Sequence, residues 1–283
     1  MRRAVLALPL LLAACGTAPA STAARATAPP AQTRYTATGT VLANAEHGPT
    51  FCNGVMQSLP PQCTGAPVVG WDWKAGPHES QAGTRWGDFT VVGTWDGTSL
   101  HLTEPAKPAP STSGTAASDR LPDSPCPAPE GGWRPVRPAD ATEEARAAAL
   151  TAAKRSPRFA GAWIDNHAPG LEMPKDDRDR RPPIKSVLNV MFTGDLAEGE
   201  RTVRALWGGP LCVYRAEHTE AELEALQRRA GDEIPGVLST SVDTFTRRVN
   251  ITVYVVTGAL RRDLDRRYGP GRVEPHGVFQ PVS

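Results

Sequence analysis

Past residue 14, this 283-residue chain has no apolar stretch that could cross a bilayer, which takes about 20 consecutive residues as a helix. It also lacks a strong charge of either sign, with 31 Lys and Arg against 30 Asp and Glu and a formal charge of +1. A nucleic-acid partner calls for a strongly basic face, so none is expected, and nothing hints at an acidic substrate. Familiar catalytic patterns are missing too: there is no G-x-S-x-G elbow, no H-E-x-x-H, no G-x-x-x-x-G-K-[ST] and no G-x-G-x-x-G. The histidines, His47, His78, His101, His167, His218 and His276, are scattered without paired spacing. No two cysteines stand at C-x-x-C spacing, so neither a metal nor a cofactor is expected.

What is present begins at the N-terminus. Arg2 and Arg3 precede an apolar run from Ala4 to Ala14, broken by Pro9, that reaches Leu12-Ala13-Ala14-Cys15-Gly16. As a helix of about 11 residues it would extend roughly 16 Å, about half a hydrocarbon core, so 1–14 reads as an export signal. Small residues before a cysteine resemble the lipobox of bacterial lipoproteins. That resemblance implies cleavage before Cys15, a diacylglyceryl group on its thiol, acylation of the freed amine, and residence on the outer face of the cytoplasmic membrane. Two or more acyl chains make a stable anchor where a single chain is marginal. Residues 15–34 then form a lipidated tether, because 16–33 are mostly Ala, Thr, Ser and Pro, with Arg25 as the only charge.

With Cys15 acylated, four cysteines remain, and outside the cytoplasm an even number favours disulfides. Three pairings are possible. The favoured one joins Cys52 to Cys63, closing a loop of about 12 residues and contributing roughly 3 kcal/mol. It leaves Cys126 for Cys212, a bridge that would fasten a Pro-rich linker to the C-terminal half.

The fold class expected is α+β. Residues 35–104 alternate in short runs at 35–42, 67–73, 88–95 and 99–103, with Asp96-Gly97 as a hairpin signal. They predict a small all-β domain, a barrel or a sandwich, with an OB-like barrel as one form. Residues 105–139 read as a Pro-rich linker in which Trp133 packs onto one of the domains.

Residues 140–283 show an internal duplication of two αββαβ units. Phe192-Thr193-Gly194-Asp195-Leu196 with Trp207-Gly208 matches Val256-Thr257-Gly258-Ala259-Leu260 with Tyr268-Gly269, and Trp163-Ile164-Asp165 matches Ser241-Val242-Asp243. Helices are expected over 141–155 and after Thr219-Glu220-Ala221-Glu222, a capping box. Gly208 and Gly269 are expected in left-handed helix caps. Leu196, Val203 and Leu206 in one copy, and Leu260 and Leu264 in the other, should face the core.

Four residues stand as possible binding positions. Trp71 and Trp73, read on one strand face, would stack on a sugar or a protein if exposed and would be core if buried. Asp165 and Asp243 hold equivalent strand ends, where paired carboxylates can act as acid and base, but a strand-end Asp more simply bonds its own turn. The run 175–181 mixes both signs between Pro174 and Pro182 and reads as a solvated hairpin loop.

Residues 159–279 resemble the pro-regions of alpha-lytic and streptogrisin-type secreted proteases. The likeness is carried by Phe159-Ala160-Gly161-Ala162-Trp163-Ile164-Asp165, Gly209-Pro210-Leu211-Cys212-Val213, the Thr219–Gln227 helix and Ser241-Val242-Asp243 before 248–255. It covers under half of the chain and implies small α/β units. With no catalytic domain after Ser283, it implies an inhibitor or folding helper acting in trans. The function expected is a membrane-anchored, non-catalytic protein-binding or scaffolding module with an envelope or secreted protein partner. An envelope hydrolase with an unidentified site is the competing expectation.

Overall fold

The computed structural model describes residues 33–110, 122–171 and 182–282. The expected leader, Cys15, nearly all of the tether and the charged run 175–181 lie outside them. The protein is mixed α+β, and from Thr33 onward it forms one compact unit.

The N-terminal part holds β1 (Arg34–Ala43), β2 (Thr50–Met56), β3 (Gln62–Val69), β4 (Glu79–Gln81), β5 (Thr84–Trp95), β6 (Leu100–Leu102) and β7 (Lys107–Pro108). β1 pairs antiparallel with β2 and, from Arg34 to Ala43, with β5. β2 pairs antiparallel with β3, β3 runs parallel to β6, and β6 returns antiparallel to β5. The circuit β1-β2-β3-β6-β5 closes a five-stranded barrel. Alternate residues point inward, so Val41, Phe51, Ala66, Phe89, Val91 and Leu100 fill its interior.

The alternation of β1, β5 and β6 is legible in the sequence, whereas β2 is not. A bulge between Cys52 and Val55 takes up Asn53-Gly54 and breaks the period. The strand expected over 67–73 in fact ends at Val69, because Gly70 turns the chain with φ +83°. Trp71 and Trp73 therefore share no strand. Trp73 opens a single 3₁₀ turn, Trp73–Ala75, capped by Asp72 Oδ1, which accepts the Lys74 amide at 2.9 Å. The Asp96-Gly97 turn forms as expected, with Gly97 at φ +106° and Asp96 Oδ1 accepting the amides of Thr98 and Ser99.

The C-terminal part runs α1 (Glu143–Lys154), β8 (Phe159–Asp165), β9 (Val187–Phe192), α2 (Leu196–Arg204), β10 (Leu211–Arg215), α3 (Glu220–Glu233), β11 (Ser239–Asp243), β12 (Arg248–Val253), α4 (Gly258–Tyr268), β13 (Val273–Gly277) and β14 (Gln280–Pro281). β8 is antiparallel and β10 parallel to the central β9; β11 is antiparallel and β13 parallel to the central β12. The registers coincide as well. Asp165 faces Val187 as Asp243 faces Arg248, and Leu188 faces Leu211 as Val249 faces Val273.

The α3 capping box is complete: Glu222 donates its amide to Thr219 Oγ1 at 3.1 Å, and Thr219 donates its amide to Glu222 Oε2 at 2.8 Å. Elsewhere the paired motifs part company. Thr257 is the N-cap of α4, but Thr193 lies outside α2, whose N-cap is Asp195. Gly269 has φ +94°, while Gly208 is not left-handed. Gly208 is required for closeness instead, since a Cβ there would sit 2.1 Å from the Arg137 carbonyl oxygen. Leu206, expected in the core, is 42% exposed, whereas Val203 and Leu264 are buried.

Both expected disulfides are formed, Cys52–Cys63 and Cys126–Cys212. The second fastens 122–136 across the first sheet, where Trp133 packs against Ala168, Leu171, Val187 and Cys212. The C-terminal tail ends on the barrel: β14 pairs with β1, and Phe279 is buried among Phe51, Trp95 and Tyr254.

Candidate functional site

The distal half of the β2–β3 hairpin is the most unusual surface of the barrel. Val55, Met56 and Leu59 are 46%, 64% and 72% exposed, three large apolar side chains within five positions. Single exposed apolar residues are ordinary, but here three stand on one projecting hairpin, with Val55 and Met56 on its opposite faces, each beside a different hollow. The hairpin is braced at its base, where Cys52–Cys63 joins the two strands on either side of the bulge. At its tip, Ser58 donates its amide to the Met56 carbonyl and its hydroxyl to the Pro60 carbonyl.

Beside the hairpin lies a hollow of about 630 Å³, walled by the β1–β2 loop at Asn44–His47, by Met56 and Pro60–Thr64, and by the β4–β5 turn at Ala82–Thr84. Its walls are set by local hydrogen bonds. Asn44 Oδ1 accepts the amides of Glu46 and His47, which holds the β1–β2 loop. The β4–β5 turn has both central residues left-handed, Ala82 at φ +49° and Gly83 at φ +79°. This conformation suits a two-residue hairpin but is strained for Ala82, by about 1 kcal/mol. Apolar side chains held by a braced backbone can grip a protein surface at little entropic cost.

The residues singled out in the sequence occupy other places. Trp71 and Trp73 are half-buried and stack edge-on with ring centroids 5.3 Å apart; Trp71 also lies 4.8 Å from Phe89, so both rings pack on the barrel core. Asp165 is buried, with Oδ2 accepting the amide and hydroxyl of Ser124 and Oδ1 accepting the His167 amide. Asp243 Oδ1 accepts the amides of Phe245 and Thr246. Against the raising effect of burial, those amides and Arg248 hold the Asp243 carboxyl below its ordinary value. Asp243 thus serves its own turn, whereas Asp165 holds its turn at His167 with one oxygen and ties down Ser124, 41 residues away, with the other. Asp96, on the barrel, is likewise held well below the usual carboxylate range by the amides of Ser99 and Thr98 and by His101, 2.6 Å away.

Reading the sequence passed over Val55, Met56 and Leu59. A signal was available: apolar residues enclosed between two expected half-cystines are displayed rather than buried when the loop is this short. Among the described residues, no group of His, Cys, Asp and Glu could hold a metal ion, and no helix is long and apolar enough to cross a membrane. Compared with known proteins, the chain matches no family model, no curated protein and no solved structure.

Proposed function

We propose that this protein is a lipoprotein held on the outer face of the cytoplasmic membrane through lipid on Cys15, and that it binds another envelope or secreted protein without performing chemistry of its own. The observation that carries the binding role is the disulfide-braced hairpin tip, on which Val55, Met56 and Leu59 are all exposed, Val55 and Met56 on opposite faces. Holding the tip in shape before contact leaves little conformational entropy to lose on association, and large exposed apolar groups are what the desolvated centre of a protein interface uses. The strand circuit, with β3 parallel to β6 and β1 between β2 and β5, is the order of an OB-like barrel, a fold that binds ligands across the face of its second and third strands. The matching order and register of the two three-stranded sheets support a duplicated αββαβ unit that acts as the scaffold on which the barrel sits.

The test is a photo-crosslinking residue placed at Leu59 in the full chain within its native envelope, with the same residue at exposed Arg262 on α4 as the control. A discrete protein adduct is expected from position 59 alone, and Met56→Asp should abolish it. Fractionation of the same cells should find the chain with membranes, and the Cys15→Ser form released. No adduct at 59, or identical adducts at both positions, overturns the binding role; membrane retention of Cys15→Ser overturns the anchor.

A further inference from the structure

A second hollow, of about 410 Å³, opens between the end of β10 and the β11–β12 turn. Four arginines line it, Arg215, Arg247, Arg248 and Arg272, together with His218; Glu217 is the only acidic residue among the lining residues. Further out, Glu222 lies 3.9 Å from His218 and attracts Arg272, Glu220 attracts Arg247, and Asp243 attracts Arg248. Among the described residues Arg215 has no carboxylate partner. The arginines come from three separate stretches of sequence, which is why no basic run announces the cluster.

Arg247 is held at a cost. It is one of two non-glycine residues with positive φ among the described residues, at +57°, in a turn closed by its amide donating to the Asp243 carbonyl. Its side chain is half-buried and lies against the first sheet, where Gly161 makes room: a Cβ at Gly161 would meet Arg247 Nη1 at 3.2 Å and Met191 Cε at 3.0 Å. Nη2 donates to the His218 carbonyl at 2.7 Å, while the buried Nε atoms of Arg247 and of Arg272 have no hydrogen-bond acceptor among the described residues. An arginine stays charged near neutrality, so buried donors without acceptors leave its charge poorly compensated, a cost that a nearby anion reduces. The wall is completed by Tyr214. Its hydroxyl oxygen accepts from Trp163 Nε1 at 3.0 Å, and because indole only donates, the tyrosine proton is left for another acceptor.

We propose that this arginine-lined hollow binds a phosphate group, in which planar guanidinium forks meet the oxyanion through paired hydrogen bonds. Its volume exceeds what a bare phosphate fills, so the phosphate of a larger molecule, such as a phospholipid headgroup, fits as well as free phosphate does. This proposal stands apart from the apolar hairpin tip on the barrel and does not depend on it.

Calorimetric titration of the Cys15→Ser full chain with inorganic phosphate tests it, alongside co-sedimentation with phosphatidylglycerol and phosphatidylcholine vesicles. Saturable phosphate binding is expected. Arg247→Gln and Arg272→Gln should each weaken it about tenfold, as expected for a lost charged hydrogen bond. Arg215→Gln, at an exposed and unpaired position, leaves the fold alone and should weaken binding several-fold, whereas Arg262→Gln on α4 should change nothing. If phosphatidylglycerol vesicles sediment the chain and the same variants release it, the source is a headgroup; if phosphate alone binds, it is the free ion. No saturable phosphate binding, or parental affinity in folded Arg215→Gln, overturns the proposal.

Discussion

The two three-stranded sheets of the C-terminal part have one order and one register, yet their central strands are opposite in character. All six residues of β9, Val187 to Phe192, are buried, whereas β12 buries Val249, Ile251 and Val253 and turns the residues between them to a wetter face. The difference lies in what covers the second face. On the first sheet, Trp133 and the Cys126–Cys212 bridge close it, helped by Trp163 and Met191. The second sheet has helices on one side only, where Leu226, Ala230, Leu264 and Tyr268 meet its valines and isoleucine. A strand buried on both faces reads as a continuous apolar run, and one buried on a single face alternates. Identical pairing geometry therefore imposes no hydrophobic pattern by itself; the cover does.

Removing the cover should break the comparison most strongly. Cys126→Ala combined with Cys212→Ala is expected to destabilise the protein by about 2–5 kcal/mol, from lost chain restraint together with exposure of the second face of β9. Hydrogen exchange should show faster opening of β8 to β10, with β11 to β13 little changed. Equal loss of protection in both sheets would show that the cover is not specific to the first.

A smaller effect is expected at the third residue of each central strand, asparagine in both. Asn189 is fully buried, donates to the Val187 carbonyl at 3.2 Å and leaves Oδ1 without an acceptable partner, while Asn250 is half-buried and bonds His276 at 3.3 Å. Asn189→Val should stabilise by about 1 kcal/mol, because it removes an unsatisfied buried acceptor. Asn250→Val should stay within about 0.5 kcal/mol of the parent. Denaturant melts of the two variants check this, and a larger gain at 250 than at 189 would reverse the assignment of faces.

The smallest effect concerns the helix that precedes each three-stranded sheet in the chain. α1 is entered by a single cap bond, from the Ala145 amide to Thr142 Oγ1, whereas α3 has the reciprocal box. Chiefly through the Thr219 amide, the Glu222 carboxyl is held below its usual 4.5. A depressed folded value means that this contribution is present above 4.5 and fades as pH falls through the folded value. Glu222→Gln should therefore lower Tm slightly at pH 7 and flatten the decline of Tm with acid below about pH 4.5. A decline as steep as the parent's would remove Glu222 from the acid response.

The parts that were legible in the sequence are those built from neighbours. The α3 box, the Asp96-Gly97 turn and the Cys52–Cys63 loop each rest on bonds spanning no more than a dozen residues, so residue type and spacing suffice to foresee them. Matching Thr193-Gly194 to Thr257-Gly258 did not reveal that the helices start differently, at Asp195 in one and Thr257 in the other, because the dipeptide carries no record of where the preceding strand ends. The candidate surfaces were harder to see. The apolar hairpin tip depends on a bulge that hides β2, and the arginine hollow gathers residues from three distant stretches.

The sequence by itself determined the local punctuation of this protein: its caps, turns, half-cystines and helix faces, each set by short-range hydrogen bonding and by periodicity. Only the tertiary structure decided that β3 would run beside β6, that Phe279 would leave the α/β part to fill the barrel, and that β9 but not β12 would be covered twice. Those outcomes are settled by which apolar surfaces remain exposed once the local elements exist, and burying them joins residues whose separation along the chain leaves no mark on either segment.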